Sequence, residues 1–252
     1  LSSERVREEL FKVLRELRRP SDSLRLYERA GALAMLYPEL YAAIGAPYAG
    51  GADLWSHLLR TADFVSPRHP RVRLAALLHG AAGADAESPQ AASPYPAAAA
   101  AAAAARKLLQ RLRSSNAETD LVSHLVAQHD SLPSLDAPAP DWRRWLRLVG
   151  REYARDLLRL EIAHARARAE EASAAPETGR MRRAGQALRE RSPSQVSELV
   201  IDGSDLRALG IPAGPLYGEI LRGLLEDVTD DPALNERAAL LARVRDGLDR
   251  SW

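Results

Sequence analysis

Apolar positions recur at three- and four-residue intervals along most of this chain, which predicts one helix after another and no strands. The first helix is expected over 4–18, with Val6, Leu10, Val13, Leu14 and Leu17 on one face, Ser2 or Ser3 as cap and Pro20 as stop. Further helices are expected at 22–34, 38–45, 53–65 and 71–79, the last two parted by a turn at Pro67 and Pro70. Residues 80–96 read as small and irregular. Nine consecutive alanines then open a helix over 97–113. Alanine is the best helix former and its small side chain lets a neighbour approach, so this is a packed core helix. It is too short for a membrane span. A helix at 117–129, a proline-rich loop at 132–140 and one long or broken helical stretch at 141–172 follow. The segment ASAAPETGR at 172–180 reads as a linker, with Arg180, Arg182, Arg183, Arg189 and Arg191 at its end and beyond it.

The tail is the most specific segment. In IDGSDLRALGIPAGPLYGEILRGLL, at 201–225, Asp202 and Gly203 suggest a turn, Ser204 and Asp205 a cap, and 205–209 a short helix stopped by Gly210. Gly214 and Pro215 then open a second amphipathic helix. Its first amides, near Gly214, Leu216 and Tyr217, lie at the positive end of the helix dipole, a competent place for a phosphate or carboxylate. Most corners of this kind bind nothing, so the pattern alone leaves a purely structural role open.

Composition changes the picture in a few places. Of 252 residues, 46% are hydrophobic, which supplies one large or two modest cores. The net charge is +1, so affinity for a polyanion must come from local arginines rather than the whole field. Lys12 and Lys107 are the only lysines; arginine suits bidentate phosphate contacts, but a GC-rich genome gives the same bias. Without cysteine there are no disulfides or thiolate metal sites. No signal peptide is visible and no apolar run reaches membrane-spanning length, so a cytoplasmic protein is expected. Trp142 and Trp145 around Arg143 and Arg144 suggest either a base-stacking surface or, more simply, two core tryptophans with arginines on the wet face.

Ile201, Gly203, Asp205, Leu206, Leu209, Gly210, Ile211, Gly214, Pro215, Gly218, Ile220 and Leu221 together resemble a signature of the class II tRNA nucleotidyltransferase and poly(A) polymerase family. Residues 2–14 resemble the last motif of that family's neck, and 26–40, with Gly31, Leu36, Pro38, Glu39 and Leu40, the element that follows it. Residues 230–241, with Asn235 and Arg237, resemble its final helix. The resemblance implies tRNA or tRNA-like RNA as partner, with no membrane. Candidate RNA contacts are Gly214, Leu216, Tyr217, Gly218, Arg207, Arg222, Arg180, Arg182 and Arg183. The combined catalytic set of the family's head does not occur, and Asp-x-Asp is nowhere in the chain. Leu1 is not an initiator methionine, so the chain is expected to be part of something longer and inactive by itself. No cofactor is expected here; Mg²⁺ and CTP or ATP belong to a head domain, in cis or in trans.

The middle of the chain resembles an HD-type helical domain. DLWSHLLRTAD places His57 at the first ligand position, and LAALLH places His79 at the second. The acid that should follow is Gly80, a later histidine is replaced by Ala97, His129 is kept, and the final aspartate appears as His164. Imidazoles without a bridging carboxylate do not hold two divalent ions, so the expectation is a surviving scaffold, no metal, and a His79 satisfied by a backbone carbonyl, with adventitious zinc or nickel on the remaining histidines as the lesser alternative. The chain is thus read as an all-α multi-helix array: 1–45 the end of a neck, 46–171 a degenerate HD-like body, 172–252 a tRNA-binding tail. Two other readings stand beside it, a diverged HD metal-dependent phosphohydrolase and a helical module that has lost RNA binding.

Overall fold

The computed structural model describes residues 2–48, 53–81, 98–172, 178–190 and 192–249. Fourteen α-helices run in order through them: α1 (Ser3–Glu16), α2 (Pro20–Arg29), α3 (Ala32–Leu36), α4 (Pro38–Tyr41), α5 (Leu54–Phe64), α6 (Pro70–Leu78) and α7 (Ala98–Arg111). Then come α8 (Asn116–Gln128), α9 (Ala139–Val149), α10 (Arg151–Ala172), α11 (Thr178–Arg189), α12 (Gly203–Ala208), α13 (Pro215–Asp230) and α14 (Arg237–Asp249). No strand forms among the described residues, where extended pairing is limited to one bridge between Pro47 and Asp53. None of these helices is long and apolar enough to cross a membrane.

Local chemistry sets most boundaries. Ser2, Asp53 and Ser115 each accept an amide bond at the start of α1, α5 and α8, and proline opens α2, α4, α6 and α13. The helix expected over 22–34 is broken, and the stretch at 141–172, expected as one long or broken helix, is the broken form. The one expected over 22–34 starts earlier, at Pro20, and stops at Gly31, whose φ of 69° reverses the chain before α3. Gly150, with φ of 85°, parts α9 from α10 in the same way. The expected linker is shorter than 172–180: Thr178 already opens α11, while 173–177 lie outside the described residues, as do Ala97 and Arg191.

The chain forms two compact units, each of two segments. Unit 1 is Leu1–Ser131 with Arg155–Met181, and unit 2 is Leu132–Ala154 with Arg182–Trp252. In unit 1, α1 buries Leu10, Phe11, Val13 and Leu14, while Leu17, expected on the same face, is 38% exposed beyond the helix end. Trp55 is buried and donates its indole N–H to Glu28 at 2.8 Å. The alanine helix α7 packs along α8 with Ala101 and Ala105 fully buried, the close approach that small side chains permit.

Unit 2 has an aliphatic core of Ile201, Leu206, Ile211, Ile220, Leu224, Val228, Leu240 and Val244. Trp142 and Trp145 are buried and meet edge to face at 6.4 Å, so neither offers a ring for a base to stack on. Arg143, between them, donates to Thr229 O (2.7 Å) and Asp230 O (3.0 Å) at the end of α13.

Arginine has the same task elsewhere. Arg73, 1% exposed, donates to Leu14 O (2.9 Å), Leu17 O (2.6 Å) and Arg18 O (2.9 Å) at the end of α1, and to Val65 O (2.7 Å). Arg151 donates to Leu188 O (2.9 Å), Glu190 O (3.0 Å) and Ser192 O (3.3 Å) at the end of α11. The last carbonyls of a helix lack intrahelical partners, and here a guanidinium from a distant segment supplies them.

Candidate functional site

The tail corner folds around a reciprocal cap. Asp202, not Ser204 or Asp205, is the N-cap of α12: it accepts from Ser204 N (2.7 Å), and Asp205 accepts back from Asp202 N at 2.9 Å. Ser204 also donates its hydroxyl to Asp202 at 2.6 Å, and these hydrogen bonds, that hydroxyl first, hold the Asp202 carboxyl below its ordinary range. Asp205 is buried and pairs with Arg237 on α14. Gly210, with φ of 83°, ends α12 and donates to Arg207 O at 2.9 Å.

The expected RNA contacts divide by exposure. Tyr217 is half-buried, donates its hydroxyl to Ile211 O at 2.9 Å, and lies so close to Gly203 that an added Cβ would stand 3.1 Å from its ring. Leu216 packs against the aliphatic core. These two side chains fasten the corner. Gly214, Gly218, Arg207 and Arg222 are exposed, and no side chain caps α13. Arg222 folds back one turn, donating Nε–H to Gly218 O at 2.8 Å, which brings its charge toward the start of α13. On α11, Arg182 is exposed, Arg183 is half-buried and donates to Ala137 O at 3.3 Å, and Arg180 falls in unit 1.

The histidines of the HD-like pattern gather in unit 1. His57 on α5, His79 just past α6, His129 just past α8 and His164 on α10 are all buried. His79 stands 5.4 Å from His57, 5.0 Å from His129 and 5.2 Å from His164, centroid to centroid, and Tyr48 stacks on His57 at 4.1 Å. His79 Nδ1 lies 2.7 Å from Ala76 O, the carbonyl contact expected of it. Burial pushes the His57 ring down to about 3, helped by Arg168 and Arg60, and puts His79 and His164 well below the ordinary range; it also lowers His129. Burial thus disfavours the charged imidazolium at all four rings.

A dinuclear HD centre does not fit here. No carboxylate follows His79 to bridge two ions, and at Gly80 an added Cβ would lie 2.8 Å from Leu54 Cδ1 and 3.3 Å from Leu58 Cδ2, so an aspartate there would require these leucine side chains to shift. Ala97 lies outside the described residues. Sequence reasoning missed two carboxylates nearby. Glu161 is 1% exposed and accepts Asp130 N–H at 2.6 Å, and both place an oxygen within 4.8 Å of a ring nitrogen of His164. Their signals were present: Glu161 and His164 are three apart on one helix, and His129-Asp130 is a histidine-aspartate pair.

Comparison with family models matches residues 97–244 to tRNA nucleotidyltransferase domain 2, more than half of the chain. The chain belongs to that family. No curated protein matches it. The tRNA nucleotidyltransferase match contains the whole tail corner, along with His129, Glu161 and His164, and excludes His57 and His79. The corner is thus an exposed feature that lies wholly inside the family segment.

Proposed function

We propose that this chain binds tRNA or a tRNA-like RNA through its tail, holding it while a nucleotidyltransferase head domain, in cis or in trans, adds nucleotides to the 3′ end. The observation that carries this reading is the corner at 201–225. There the uncapped start of α13, with Arg222 folded toward it and Arg207 exposed on α12, falls inside the tRNA nucleotidyltransferase segment. A helix N-terminus with a few guanidinia recognises phosphate by dipole and charge, which positions an RNA without reading its sequence. Mg²⁺ and CTP or ATP belong, on this proposal, to the head.

With a net charge of +1 there is no broad attraction to reinforce these contacts, so binding is weak and steeply salt-dependent. The test is a salt series with labelled tRNA on the wild-type chain and on Arg207→Ala/Arg222→Ala. Micromolar binding is expected, with the log–log salt slope shallower by about 1 for each phosphate that a guanidinium no longer neutralises. No binding at low salt, or an unchanged slope in the double variant, refutes the assignment.

A further inference from the structure

The histidine cluster of unit 1 has the geometry for one metal ion where it lacks the residues for two. A carbonyl oxygen only accepts, so His79 Nδ1, 2.7 Å from Ala76 O, carries the ring proton and Nε2 presents its lone pair. That Nε2 accepts a hydrogen bond from His57 Nε2 at 3.3 Å, and a metal ion bound between the two nitrogens would take the place of the shared proton. Two imidazole nitrogens held at zinc-type bond lengths on one tetrahedral ion stand about 3.4 Å apart. His164 completes the set, since one ring nitrogen from each of the three lies within 4.8 Å of the others. Seating an ion asks the third ring to close by at most about 1.4 Å.

The surroundings favour a cation in this place. Metal-bound histidines characteristically donate their other N–H to a carbonyl, as His79 does. A divalent ion among neutral rings needs negative charge nearby, and Glu161 and Asp130 each bring an oxygen to within 4.8 Å of His164. Asp130 N–H fixes the Glu161 carboxylate at 2.6 Å. Exposure is 0% at His57 and His79 and 3% at His164, which suits a closed structural site rather than one that admits substrate.

We propose that His57, His79 and His164 bind a single divalent ion of the zinc, cobalt or nickel class, flanked by Glu161 and Asp130, and that the ion clamps α5, α6 and α10 together. An all-imidazole set with flanking carboxylate selects late first-row ions over Mg²⁺ or Ca²⁺. The clamp joins positions 57, 79 and 164, so it closes a long loop of chain and stabilises the unit by binding the folded form alone.

The experiment refolds the whole chain from denaturant in the presence of chelator, of Co²⁺ or of Zn²⁺. One cobalt per chain is expected, with visible absorption of tetrahedral type that Zn²⁺ abolishes, and a thermal midpoint above that in chelator. His164→Ala is expected to fold in chelator yet lose affinity by about a hundredfold or more, whereas His124→Ala, outside the cluster, keeps it. Should His164→Ala fail to fold, His57→Asn serves the same comparison. Folded wild-type protein without stoichiometric cobalt, or binding unchanged in the ligand variants, overturns the proposal. Neither result depends on whether the tail binds RNA.

Discussion

The two units place charge in opposite ways. Unit 1 takes polar groups inside: His57, His79, His129, His164, Glu161 and Arg73 are all at or below 5% exposure. Unit 2 has an aliphatic centre with the buried Asp205 beside it, and others of its carboxylates meet guanidinia nearer the surface, Asp230 (2.6 Å) and Glu226 (3.4 Å) with Arg144, and Glu226 with Arg147. A buried polar group must find its partners within the protein, so it fixes one arrangement at high stakes. An exposed pair shares its partners with water and contributes little. Unit 1 is consequently the more exacting structure and unit 2 the more forgiving one.

Three substitutions grade that difference by burial. The largest effect is expected from Arg73→Met, which strips donors from four carbonyls, three of them at the end of α1. With each unsatisfied buried carbonyl costing about 1–3 kcal/mol before relaxation, a net loss of about 3–5 kcal/mol follows. Thermal unfolding measures it, and hydrogen exchange should show the last turn of α1 opening first. A variant as stable as wild type would break the comparison. Arg151→Met, at a half-buried site where water can replace the guanidinium, should cost about 1–2 kcal/mol and loosen the end of α11 in the same assay.

Glu226→Gln should cost least, about 0.5 kcal/mol, and less at high salt. Its pH dependence has a definite sign. The hydrogen bond from Arg147 holds the Glu226 carboxyl below its unfolded value of 4.5, against a smaller opposing effect of burial. The folded state therefore releases this proton more readily than the unfolded one, so the stabilisation is complete above pH 4.5 and disappears as pH falls through the folded value. Urea midpoints of wild type and Glu226→Gln should differ near neutrality and converge in acid. A gap that persists in acid would assign the effect to packing.

Much of this was legible from the sequence. The all-α class followed from periodicity, and the corner at 201–225 was expected with Gly210 and Gly214 in the places they occupy. What escaped depends on distance along the chain. Arginines were weighed as phosphate ligands or as a genomic bias, yet Arg73, Arg143 and Arg151 cap helices 37 to 87 positions away, and no local pattern reveals which carbonyl a side chain will meet. Asp130 and Glu161 escaped for the same reason, compounded by an extended His129, with ψ of 142°, that ends α8 and sets the direction of the Asp130 N–H that meets Glu161. The tail cap was misplaced by two or three residues because Ser204 and Asp205 are also good caps, and only the packed corner decides among them.

The interleaving of the two units constrains how the molecule is made. Each contains a segment that the ribosome delivers only after part of the other: Arg155–Met181 returns to unit 1 once Leu132–Ala154 has been built. A nascent chain that has emerged only through residue 131 has His57, His79 and His129 but lacks Glu161 and His164. Until α10 arrives, His57, His79 and His129 lack the ring of His164 that each of them faces in the complete fold. A pause in translation beyond residue 181, rather than at the first boundary, is where this architecture would gain from delay.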